Sequence, residues 1–215
     1  MVNFFPSPRD STAGANQDMG RAMNRAILLF GYPGSGKGTQ GKILNALPGF
    51  HHVAMGDILR GLTPAHPLYA AVQDQLRQGN LVPDELVMEL FAHHLDAMKM
   101  PASDFVIVDG LPRNFKQVEL LNRIVQVIKI FKLSIYDEAV VIERLRKRAL
   151  AQGRADDADD GVIKHRLNVY RRETESCITA YPGTILTRIQ SNQTVFDVHL
   201  DIIHALGKMR QIQFV

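Results

Sequence analysis

Short apolar runs alternate with longer stretches in which apolar residues recur every three or four positions, and this alternation organises the chain from residue 26 onward. AILLF (26–30) and FVIVDG (105–110) are continuous apolar runs of strand length, the pattern of a parallel strand buried on both faces. HHVAM (51–55), part of VQVIKIFKLSI (125–135) and part of TILTRI (184–189) predict three more strands. Helical periodicity covers 36–47, 83–98, 114–123, 137–151 and 160–179. Strands separated by helices predict an α/β fold, with a parallel β-sheet core and helices on both faces. Asp109 then falls at the carboxyl end of its strand.

Composition narrows this picture. With 215 residues, 46% of them hydrophobic, the chain is long enough for one substantial core. A net charge of +3, with basic and acidic residues interspersed, suits small anions and gives no stripe of the kind nucleic acid requires. One cysteine, Cys177, excludes an intramolecular disulfide and a cysteine-rich zinc site, which points to the cytoplasm. No apolar run reaches the roughly 20 residues of a membrane helix, so no membrane partner is expected. Residues 1–24 lack an apolar targeting core and carry Asp10 and Asp18, and are expected to be a flexible extension rather than a presequence. No coiled-coil seam remains for association, so a monomer is expected.

The stretch GYPGSGKGT (31–39) joins the first strand to the first helix. Gly31 and Gly36 bracket four residues and Lys37 follows, close to the GxxxxGK[ST] spacing. Glycines let backbone N–H groups converge on phosphate oxygens, and the helix directs its positive end at the same anion. Gly34, Ser35, Gly36, Lys37, Gly38 and Thr39 are therefore the candidate triphosphate cradle. Gly38 stands where the pattern has its hydroxyl, and Thr39 supplies one a residue later. Among the lesser signals, the Asp run ADDADD (155–160) lacks the turn glycine and terminal Glu of a calcium loop, and suggests helix capping and pairing with nearby arginines. His51-His52 and His93-His94 lack metal-ligand spacing.

The loop, followed in order by GDILR (56–60), GNLVPDELV (79–87), VDGLPRNFKQ (108–117), ERLRKR (143–148) and GRADD (153–157), resembles the nucleoside monophosphate kinases, adenylate kinases most closely. The resemblance runs from about residue 26 to the C-terminus. It implies a P-loop NTPase-type core in a kinase domain over 25–215, with an acceptor-nucleotide segment near 55–84 and a short lid near 148–160. It also implies reversible ATP + AMP to 2 ADP transfer, with ATP and AMP as substrates. Mg²⁺ would be held through water by Asp109, with Thr39 a further candidate, and the short lid carries no zinc cysteines. Lys37, Arg144 and Arg148 would meet ATP, and Arg60 and Arg113 the acceptor phosphate. Arg154 and Arg166 would close on the transferring group and count with the acceptor set. Met55, Val82, Gly110 and Gln117 would surround the acceptor base, Gln117 reading it through its amide. The catalytic set implied is Lys37, Arg113, Arg144, Arg154 and Arg166.

Several departures mark a divergent member. Met55 replaces the usual Thr beside the acceptor base, which leaves CMP or UMP open as acceptor. One extra residue separates Arg154 from Arg166, which on a helix rotates later side chains by roughly 100°. Either His165 or Arg166 could then face the site, Arg166 being preferred because RLxxY follows from it. These changes also leave open a nucleotide-binding sensor without turnover.

Overall fold

A computed structural model describes residues 23–209, so the extension expected over 1–24 lies almost wholly outside the described residues. Five parallel strands form one sheet in the order β2 (Phe50–Ala54), β3 (Phe105–Asp109), β1 (Asn24–Phe30), β4 (Val125–Ser134), β5 (Leu186–Gln190). All five predicted strands are present. β1 is central, and its side chains explain why its run is apolar throughout. Ala26, Leu28 and Phe30 enter one buried cluster with Val106, Val108 and Phe91. Ile27 and Leu29 enter the opposite one with Ile107, Phe131 and Ile202. Alternate side chains of one strand thus feed two cores, the period-2 geometry of a sheet covered on both faces.

The helices are α1 (Lys37–Leu44), α2 (Met55–Arg60), α3 (Tyr69–Gln78), α4 (Asp84–Met98), α5 (Phe115–Leu121), α6 (Glu138–Gln152), α7 (Asp160–Val169) and α8 (Val195–Gly207). Four begin at side-chain caps: Asn114, Asp137, Asp159 and Thr194 each accept a backbone N–H two or three residues on. α1 differs. Its N-cap is Gly36, at φ +96°, with no side chain to satisfy the first turn.

The predicted helices need correction in two respects. The helix expected over 160–179 ends at Val169, widens into a π turn over Tyr170–Thr174 and tightens into a 3₁₀ helix over Glu175–Ala180. The widened turn is held by tertiary contacts: the Tyr170 ring lies 4.6 Å from that of Tyr32, and the Thr174 hydroxyl donates to the Arg113 carbonyl at 2.9 Å. The short α2, α3 and α8 add to the helices that periodicity predicts. Val72 and Leu76 in α3, and Val198, Ile202 and Leu206 in α8, recur every four residues and bury that face.

Connections from β1 run first to β2 and β3 on one side, then to β4 and β5 on the other. The crevice at the carboxyl ends of the central strands is the position where such sheets bind ligands. Leu29 pairs with Asp109 in register, so the glycine loop and the β3 carboxylate emerge side by side.

Candidate active site

A cavity of about 620 Å³ opens at that crevice. Its wall includes the loop from Gly34 to Thr39, Asp109 at the end of β3 and Gly110 after it, Arg60 from α2, Arg113 before α5, Arg144 and Arg148 from α6, Arg154 before α7 and Arg166 within it. Among the described residues, Lys37, Lys42, Lys147 and six arginines thus line one space with three carboxylates, those of Asp57, Asp109 and Asp156.

The loop is shaped by the residues beneath it. A Cβ on Gly31, at φ +145°, would lie 2.5 Å from the Leu133 carbonyl and the Ser35 hydroxyl. Only glycine fits there. Lys37 folds back, its Nζ donating to the carbonyls of Gly31 at 2.7 Å and Tyr32 at 2.9 Å. Burial, with Arg113, Arg148 and Arg166 nearby and only Asp109 in opposition, pushes the Lys37 amine down to about 8. Burial and the neighbouring Arg166 bring Arg113 down to about 10. Both shifts come first from burial and then from neighbouring cations.

The arginines rest on carboxylates. Arg166 lies 2.8 Å from Asp156 and also bonds Asp157; Arg154 stands 3.3 Å from Asp156 and 3.4 Å from Asp157; Arg148 reaches Asp157 at 2.6 Å. Arg60 bonds Asp57 at 2.6 Å and approaches Asp156 at 4.0 Å. Burial works to raise the Asp156 carboxyl, yet Arg166 and Arg154 outweigh it and hold it below its ordinary range. Donors are left over. Among the described residues Arg148 Nη2 is buried without a partner, and Arg113 is tethered through Nε to the Gly110 carbonyl at 3.0 Å. Arg144 is steadied by the Ser191 carbonyl at 3.1 Å, a partner the sequence does not advertise because any residue supplies a carbonyl.

The register around α7 is explicit. Asp159 caps this helix, and a single residue, Ala158, separates that cap from the 3₁₀ turn at Ala155–Asp157, so the interval before Arg166 is not one continuous helix. Arg166 reaches the cavity, while His165 Nε2 lies 2.8 Å from Asn80 Oδ1. Gly79 makes room for Arg166, because a Cβ there would lie 2.6 Å from its Cγ.

Three of the expected residues do not reach the cavity wall. Met55 and Val82, 1% and 4% exposed, lie in the hydrophobic core, Met55 directly under Gly110. Gln117 is 1% exposed and sits one hydrogen bond behind Arg113, accepting from its backbone N–H at 2.8 Å. The carboxylate expected to serve a metal is available: the nearest basic side chain to it among the described residues is His52, whose Nε2 stands 4.0 Å from Asp109 Oδ2 and whose pKa burial pushes down. Gly38 leaves the space beside it open, since a Cβ there would come within 3.5 Å of Asp109 Oδ2. One carboxylate beside a phosphate cradle fits hydrated Mg²⁺, which keeps several waters. Thr39 is exposed at the cavity mouth.

The family model described as adenylate kinase matches residues 29–185. An adenylate kinase of Prochlorococcus marinus (strain MIT 9211) is 38% identical over 191 residues, covering 86% of this chain and 98% of that relative. An adenylate kinase of Thermus thermophilus is 33% identical over 192 residues, covering 86% and 98%. That of Parabacteroides distasonis is 37% identical over 163 residues, covering 73% and 84%. A parallel sheet with its glycine loop at the switch point, a cavity ringed by arginines and similarity along most of the sequence agree: the chain belongs to the adenylate kinase family.

Proposed function

We propose that in this phosphotransferase, which interconverts ATP + AMP and two ADP, Lys37 and the six cavity arginines hold both nucleotides in line and neutralise the transferring phosphoryl group. The observation that carries this reading is the convergence of those seven cations beside the uncapped N-terminus of α1. Phosphoryl transfer asks little covalent chemistry of the protein; positioning and charge stabilisation do the work. The loop from Gly34 to Thr39, with Lys37, Arg144 and Arg148, cradles the ATP phosphates. Arg60 and Arg113 grip the AMP phosphate. Arg154 and Arg166 exchange Asp156 and Asp157 for the transferring group, which their planar forks can bind bidentately. Asp109 would hold Mg²⁺ through its water shell, where the ion neutralises charge across the donor phosphates.

The segments near 55–84 and 148–160 act as acceptor cover and lid, and exclude water that would otherwise take the phosphoryl group. A contact that brings these segments together supports this: Arg60 approaches Asp156. AMP is the acceptor, with its base toward Met55, Val82, Gly110 and Gln117. The protein works as a cytoplasmic monomer. Its single, buried cysteine is consistent with a reducing compartment, and among the described residues no helix is long and apolar enough to cross a membrane.

A coupled assay offering AMP, CMP, UMP, dTMP and GMP separately with Mg-ATP tests the acceptor, and AMP is expected to be used far better than the rest. Preference for CMP or UMP would assign specificity to Met55, and ATP binding without turnover would make the protein a sensor. Replacing Arg166 with Ala is expected to lower kcat by about 10²–10³-fold, whereas His165→Ala stays near wild type. The reverse order would refute the register given to α7. Because Lys37 is pushed down to about 8, kcat/KM for ATP should fall as pH rises past 8. Bound phosphate restores the proton, so kcat should hold to higher pH. Equal profiles for the two parameters would contradict this.

A further inference from the structure

Gln117 is fixed at both ends of its amide. Oε1 accepts from the Arg113 backbone N–H at 2.8 Å, and Nε2 donates to Asp84 Oδ1 at 2.7 Å. A backbone N–H only donates and a carboxylate only accepts, so the amide fits one way round. Turned over, it would set oxygen against carboxylate and NH₂ against N–H. The same Asp84 oxygen accepts from Asn114 Nδ2 at 2.9 Å, while Asn114 Oδ1 takes the Gln117 backbone N–H at 2.8 Å as the cap of α5. One oxygen of Asp84, the first residue of α4, therefore holds both the Gln117 amide and the Asn114 cap of α5.

Each end of that amide keeps one valence, a second N–H and a second lone pair. A 6-aminopurine presents a donor at N6 beside an acceptor at N1. A 6-oxopurine presents an acceptor at O6 beside a donor at N1, the reverse order. An amide free to turn about its terminal torsion serves both bases. We propose that Asp84 is a positioning residue that locks the Gln117 amide in one orientation and so makes the acceptor site select a 6-aminopurine monophosphate over a 6-oxopurine one. This rests on the reading above in which Gln117 meets the acceptor base, for which the base must pass the wall that leaves Gln117 1% exposed. With AMP seated by N1 on Nε2 and N6 on Oε1, a hypoxanthine in the same place meets N–H with N–H and oxygen with oxygen. Both repulsions persist because the amide cannot turn.

A purely structural clasp is the alternative, since Asp84 also places a negative charge in the first turn of α4. The two separate in the ratio of kcat/KM for AMP to that for inosine monophosphate, measured with ATP saturating in wild type, Asp84→Asn and Asp84→Ala. Asp84→Asn is close to isosteric and gives the amide a partner that can itself turn. The expected result is a strong wild-type preference for AMP that falls about tenfold or more in both variants, through the acceptor KM, with KM for ATP unchanged. An unchanged ratio, or equal losses with AMP and inosine monophosphate, would overturn the proposal. If the variants fold but turn over too slowly to assay, calorimetric titration with each monophosphate replaces kinetics, and equal weakening of both again overturns it. A wild type that prefers a pyrimidine monophosphate to AMP would instead defeat the reading of the acceptor on which this rests.

Discussion

Lys37 and six arginines held in one partly buried cavity repel one another, and the structure around them is organised by how that repulsion is relieved. Asp156 and Asp157 supply most of the relief, taking Arg148, Arg154 and Arg166 between them, with Arg60 within 4.0 Å of Asp156. Removing one partner of such a buried group leaves a charge without compensation, a cost of several kcal/mol, about 3–5 by analogy with other buried pairs. Burial first, and repulsion from neighbouring arginines second, lower the Lys37 and Arg113 pKa values. A site left short of negative charge favours polyanions, and the fold meets its own electrostatic need best when phosphate arrives.

Everything that shapes the cavity serves that concentration of charge. The parallel sheet brings the carboxyl ends of β1 and β3 together, so loop and Asp109 share a register. Gly31, Gly34 and Gly36 hold left-handed or otherwise glycine-favouring backbone, and Gly79 opens a passage for Arg166. α6 presents Arg144 and Arg148 one turn apart, and the π turn after α7 seats Thr174 on the Arg113 carbonyl. Each device is local, yet the set works only because five strands and their flanking helices keep it aligned.

How much of this could be read from sequence follows from where the information lies. AILLF, FVIVD and GYPGSGKGT carry strand, carboxylate and loop in contiguous residues, so their placement needed no tertiary knowledge. The family motifs carried the arginines. The helix over 160–179 failed because its interruption is set by Tyr32 and Arg113, both distant in sequence. Which of His165 and Arg166 faces the site could not be resolved by helical periodicity, since the chain from Arg154 to Arg166 is not one continuous helix. The base-facing set was legible in type but not in position: Met55, Val82 and Gln117 lie beneath the wall. The Asp84 clasp was invisible, because α4 and α5 meet only in the folded chain.

Catalysis in this site turns on the exchange of internal carboxylates for substrate phosphates. The most direct test is a crystal structure with a bisubstrate analogue joining two adenosines through five phosphates. Arg154 and Arg166 should leave Asp156 for phosphate oxygens, Lys37 should leave the Gly31 and Tyr32 carbonyls, and Arg113 should bind the acceptor-side phosphate. A complex in which Arg154 and Arg166 remain on Asp156 and Asp157, with the phosphates lodged elsewhere, would contradict it.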